Sequence, residues 1–214
     1  GDRVKAGQVL FRLDATDAYK QVRDAKTSLA AANLALEKLK NPKTADVLSV
    51  TNSLKQEEDS RKNEDTKVAT AYRNLLNTGI TAVPEGSYTS ETAPVITGSY
   101  QKDKEGQIKI SVYQGGTSGF GFSLSGIASG SGDVNTTVAQ PLGDTGLYIK
   151  WNSNNTQTNW VINIPNKQSS GYSSAYTSWQ NAIASRDLAI AQSERTVASL
   201  NQKLADLTPD DTNL

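Results

Sequence analysis

The chain has 214 residues, enough for one or two domains, and balances 22 Lys and Arg against 22 Asp and Glu, so its formal net charge is zero. No basic block is interleaved with aromatics, which removes the electrostatic footprint of a nucleic-acid binder. It has no Cys and no His, and no nucleophile elbow, phosphate loop or clustered metal-ligand spacing. Disulfides, thiolate chemistry and the commonest general base are therefore excluded, and the expectation is a non-enzymatic protein without cofactor or metal. The lack of Cys is compatible with any compartment and suits an exported chain.

Residues 1 to 14 read as half of a small β-domain. Gly1 and Gly7 allow tight turns, and Val9, Phe11 and Leu13 alternate with Gln8, Leu10 and Arg12 as in a short strand. The order Gly1-Asp2, Val4-Lys5, Gly7-Gln8, Leu10 and Asp14 resembles the biotinyl/lipoyl-like half-motif of the HlyD-like membrane fusion proteins, the periplasmic adaptors of bacterial export pumps. Biotinyl and lipoyl carriers place a modified lysine in the turn that follows. Here Ala15-Thr16-Asp17-Ala18-Tyr19 opens a helix instead, so no covalent cofactor is expected. In that family a helical hairpin interrupts the lipoyl-like fold, and the second half follows the returning helix. Its usual Ala-Pro-Phe-Asp-Gly-like turn does not occur before Leu214, and the chain contains no Met, so it is expected to be the middle segment of a longer protein.

Beyond residue 15, Val22, Ala25, Leu29, Ala32, Leu36 and Leu39 are spaced alternately by three and four, the stripe of a coiled-coil helix. Pro42 breaks it, and whether the first helix continues collinearly or folds back is open. Thr44 and Asp46 start a second helix, expected over about 44 to 78 and ended by Gly79. Its seam runs Val47, Val50, Leu54, Glu57, Arg61, Glu64, Val68, Ala71, Leu75. A third helix is expected over about 172 to 207, with the seam Tyr176, Trp179, Ile183, Arg186, Ile190, Ser193, Val197, Leu200, Leu204, Leu207. The last two helices each span roughly 50 Å at about 1.5 Å per residue. Antiparallel pairing would place Leu54 by Val197, Glu64 by Arg186 and Glu57 by Ser193.

Between those helices the composition changes, with only 11 charged residues from Ile80 to Lys167 and many Gly, Ser, Thr and Asn. Ile108, Ile110 and Val112 alternate with polar neighbours, as do Phe120, Phe122 and Leu124, Leu147, Ile149 and Trp151, and Trp160, Ile162 and Ile164. Such runs are half-buried antiparallel strands, and shorter ones are expected around Tyr88, Val95 and Val138. About 85 residues can bury one modest core. Tyr88, Tyr100, Tyr113 and Tyr148 are candidates for stacking on sugar faces. Asp103, Glu105, Asp133 and Asp144 lack the spacing of a calcium loop and read as solvated loop charges.

The expected fold is α+β: a long antiparallel coiled-coil hairpin with an inserted, jelly-roll-like antiparallel β-sandwich and a short lipoyl-like half-motif. Its segments are 1–14 (half-motif), 15–79 (helices), 80–170 (sandwich), 171–208 (returning helix) and 209–214 (a further segment). The family resemblance implies a membrane fusion subunit of an export system. It implies an ABC-type transporter as partner, self-association into a ring, and an extracytoplasmic location anchored to the cytoplasmic membrane upstream of Gly1. In many adaptors an Arg, a Leu and a Ser at the hairpin tip contact the outer-membrane duct, and Arg73, Leu76 and Thr81 are the matching candidates. Some 90 residues intervene before the returning helix, which opposes duct docking. The alternative is a cell-surface carbohydrate- or protein-binding module displayed on a coiled coil.

Overall fold

The computed structural model describes residues 16–40, 44–86, 90–115, 119–154 and 156–208. The half-motif of residues 1–14, Tyr88 and the segment beyond Thr208 lie outside them. Helix α1 spans Thr16–Lys40, α2 Thr44–Asn77 and α3 Tyr172–Leu207. Between α2 and α3 come β1 (Ala82–Pro84), β2 (Val95–Gly98), β3 (Gly106–Gln114), β4 (Phe120–Gly126), β5 (Gly130–Asp133), β6 (Gln140–Pro141), β7 (Leu147–Lys150) and β8 (Trp160–Ile164). Helix limits follow local chemistry. Asp46 lies in the first turn of α2, where a carboxylate meets the positive end of the helix dipole. Gly79, at φ 62°, supplies the left-handed residue beyond its C-terminus.

The chain divides into two units, residues 58–194 and residues 1–57 with 195–214. In the second of these, α1 has no buried side chain among positions 17–37; Tyr19, Val22, Leu29 and Leu34 are each more than half exposed. Val50 of α2 is buried there at 2 % exposure.

Unit 58–194 contains both sheets. One has the order β1-β8-β3-β4-β5 and the other β2-β7-β6, antiparallel throughout. Alternation decides which side chains meet. Ile108 pairs with Ile162 and Ile110 with both Trp160 and Leu124, while Leu147 and Ile149 project from the smaller sheet. These side chains, with Phe122, Trp151, Val134 and Leu142, form one core to which both sheets contribute. The short outer strand β1 ends in Pro84, a residue that the middle of a sheet would reject for its missing N–H. Leu76 near the end of α2 is fully buried in the same core, with Tyr72 and Ile80 packed against it.

The structure corrects the expected fold class. Among the described residues there are three helices, the longest of 36 residues at the C-terminal side, and two small antiparallel sheets, and no long coiled-coil hairpin is evident. Extended backbone contact between elements runs among strands. The reason lies in the middle of the helical stripes, where Glu57, Arg61, Glu64 and Arg186 are only half-buried and two of them, Glu64 and Arg186, pair within their own helices. Glu64 accepts from Lys67 of its own helix at 2.6 Å, and Arg186 pairs with its neighbour Asp187 at 2.7 Å, so the expected Glu64 to Arg186 layer does not form. Ser193, expected by Glu57, instead accepts a hydrogen bond from Arg61 Nε at 2.9 Å. The Tyr72 and Trp179 rings meet with centroids 5.2 Å apart. The jelly-roll likeness is corrected too. β3 and β4 are paired neighbours within one sheet, where a jelly roll would carry the chain across to the other.

Tyr72 offers a pH test of this joint. Its hydroxyl donates to Glu105 Oε1 at 2.9 Å, and desolvation first, then that hydrogen bond and the Glu105 charge, push its pKa up to about 12. A raised folded-state pKa contributes stability that is present below the ordinary phenol value of about 10 and is lost as pH rises through about 12. We expect denaturation midpoints to fall between those pH values, and Tyr72→Phe to flatten the slope. An equal slope in the variant would show that Tyr72 is not responsible.

Candidate functional site

The stretch expected to resemble an adaptor tip is the joint between α2 and the sheets. Arg73 is exposed, its Nε 4.0 Å from Asp103 Oδ1, in a pair worth little because both partners are largely in water. Thr81 is exposed and sits 3.4 Å from Asn166 Nδ2, which also donates to the Gly79 carbonyl at 2.7 Å. Leu76 is a correction: at 0 % exposure it is a core residue, because the last turn of α2 packs its apolar face into the core that the two sheets share. It cannot contact a partner. Asn77 holds the joint together, accepting from the Tyr100 N–H at 2.7 Å and the Ser99 hydroxyl at 3.2 Å while donating to the carbonyls of Arg73 and Tyr100.

The four tyrosines proposed for sugar stacking separate. Tyr88 lies outside the described residues. Tyr100 is a correction: it is 2 % exposed, and its hydroxyl donates to the Lys104 carbonyl at 2.7 Å, so its ring belongs to the core. Tyr113 and Tyr148 are exposed at 46 % and 45 %, but β3 and β7 belong to different sheets, so the two rings do not share a strand surface. Each covers a glycine. A Cβ on Gly121 would fall 2.8 Å from Tyr113 Cζ, and one on Gly98 would fall 3.2 Å from Tyr148 Cδ2. Aromatic rings laid over strand glycines shield backbone that has no side chain of its own.

Beside Tyr113 lies an open cleft of about 320 Å³ lined by Val112, Tyr113, Gln114, Phe120 and Gln157. Two loop anchors shape it. Asn159 Oδ1 accepts from the Val112 N–H at 2.8 Å, holding the strand next to the loop that follows β7. Glu91 accepts from the Gln157 N–H at 3.0 Å and from the Thr156 hydroxyl. Burial alone would raise the Glu91 pKa, but these hydrogen bonds to its charged form, with that of Thr158, outweigh it and lower the pKa. Phe120, Gln114 and Gln157 were not anticipated as site residues. The available signal was Phe120-Gly121-Phe122, a glycine placed where a cross-strand aromatic needs room.

Among the described residues no three acidic, His or Cys side chains gather to hold a metal ion. Glu105 accepts from Tyr72, and Asp144 pairs with Lys102 at 2.7 Å, which lowers its pKa. No described helix is long and apolar enough to cross a membrane. Comparison with known proteins finds no matching family model, no matching curated protein and no matching solved structure.

Proposed function

We propose that the chain is a non-enzymatic adaptor segment of a bacterial export system, coupled to an ABC-type transporter and carrying its β-sheets as a contact domain. The observation that carries this reading is the run from Gly1 to Asp14, whose glycine, valine, leucine and aspartate spacing matches the lipoyl-like half-motif and leads directly into helix. Long helices with exposed apolar positions on α1 support it, since such stripes are used for association between chains. Its location would be extracytoplasmic, with ring formation through the lipoyl-like end.

A second reading, a surface module that binds carbohydrate or protein, is favoured by the exposed Tyr113 ring and its cleft. Genetic complementation separates the two. Cells lacking the protein should lose export through the transporter and regain it with the full chain. Phe11→Asp, which interrupts the apolar alternation of the half-motif, should fail to restore export at equal protein level. Undiminished export in the absence of the protein would eliminate the adaptor reading.

A further inference from the structure

We propose that the cleft between Tyr113 and Gln157 binds a neutral saccharide, with the Tyr113 ring as the stacking platform and the Gln114 and Gln157 side chains as hydrogen-bond partners for sugar hydroxyls. This does not depend on the adaptor reading; it rests on the second, carbohydrate-binding reading and names the site and ligand class for it.

The ring is held ready for that role. The hydroxyl end of the ring lies against Gly121, where a Cβ would come within 2.8 Å of Cζ and 2.9 Å of the phenol oxygen, so substitution there would displace the ring. The residue is 46 % exposed and lines the cleft, so part of its ring is open to a ligand. Tyr113 and Gly121 are paired residues of β3 and β4, in the longest strand pairing of the larger sheet, so the platform rests on regular structure. A sugar ring presents an apolar C–H face and a rim of hydroxyls. The first fits an aromatic plane, and the second needs groups that both donate and accept.

Gln114 and Gln157 line the cleft, and each has a primary amide able to offer two donors and an acceptor. None of the five lining residues is charged, which disfavours phosphate, uronate or amine ligands and favours a neutral one. Glu91 does not change this, because its carboxylate is turned to the Gln157 N–H and the Thr156 hydroxyl and fixes the loop from beneath. The volume of about 320 Å³ is at the low end of small-molecule sites and suits one or two sugar rings of a longer chain. Tyr148 has a similar exposure but lines no part of this cleft, so it serves as an internal control.

The experiment is calorimetric titration of the full chain with cellotetraose and the N-acetylglucosamine trimer as neutral probes, a galacturonate trimer as the charged comparison, and a proline-rich peptide as the other ligand an aromatic groove could take. At least one neutral probe should bind saturably at one site. Tyr113→Ala should weaken it about tenfold or more, Tyr113→Phe should keep it within about threefold, and Tyr148→Ala should leave it unchanged. Gln157→Ala, whose backbone anchor to Glu91 is retained, should weaken binding with no loss of folded protein, and so covers the case of a Tyr113→Ala variant that does not fold. Absence of saturable binding by both neutral probes would overturn the proposal. So would wild-type affinity in Gln157→Ala or in a folded Tyr113→Ala, or binding of the peptide or the galacturonate in preference to the neutral sugars.

Discussion

Trp160→Ala should destabilise the sheet unit by about 3 to 5 kcal/mol, the range for removing a large aromatic from a packed core. Trp160 is 1 % exposed, pairs with Ile110 and Pro84 across neighbouring strands, and is the largest of the fully buried side chains. Chemical denaturation followed by far-ultraviolet circular dichroism would measure it, with an unchanged denaturant slope marking a true loss of stability. Trp160→Phe should cost much less than the alanine change. The Trp160 Nε1 group is buried without a hydrogen-bond partner among the described residues, so the phenyl ring removes that donor while retaining most of the apolar area. A cost below about 1 kcal/mol for Trp160→Ala would mean that the two sheets do not share the core described.

Gly126→Ala should be nearly as damaging, by about 3 kcal/mol, for a different reason. Gly126 has φ 91°, a conformation that residues with a Cβ rarely adopt, and the added Cβ would lie 2.1 Å from the Gln107 carbonyl oxygen. That oxygen cannot withdraw cheaply, because it accepts the Ile127 N–H at 3.0 Å and lies in β3. The adjacent Ser125→Ala, at an exposed position of the same strand, should change stability by no more than about 0.5 kcal/mol. Equal effects of the two would show that the turn after β4 is looser than its geometry indicates.

Much of the secondary structure was legible because the signals are local. Pro42 and Gly79 punctuate the helices, and the observed spans Thr44–Asn77 and Tyr172–Leu207 differ little from those read from heptad spacing. Alternation likewise located β3, β4, β7 and β8. What could not be read was pairing between distant segments. Heptad spacing alone implied a continuous coiled coil, yet Glu64 and Arg186 each found a partner on their own helix at lower conformational cost than a partner across the seam. Nor does alternation state which sheet a strand joins, so the jelly-roll order was an assumption that the β3 to β4 pairing removed.

The site was less legible still. Tyr100 and Tyr113 look alike in sequence, but Tyr100 is bound to the Asn77 joint through its backbone and turns its ring into the core. Tyr113 stays outside because it falls on the outward face of β3, alternating with Ile108, Ile110 and Val112, and it is paired with Gly121. Gln157 is held in place by Glu91, 66 positions away in the chain, and by the Asn159 bond to Val112, and no local pattern announces either.

The proposed division of labour, with transporter coupling in the lipoyl-like end and ligand contact in the sheets, is tested most directly by quantitative co-purification. The tagged full-length protein would be isolated from detergent-solubilised membranes, and the recovery of ABC-type permease and ATPase subunits measured by mass spectrometry. Wild type would be compared with the cleft double variant Tyr113→Ala, Gln157→Ala and with Phe11→Asp in the half-motif. The account predicts equal transporter recovery for wild type and the cleft variant, and at least about a tenfold loss for Phe11→Asp. Transporter recovery lost in the cleft variant, or absent from the wild type, would contradict it.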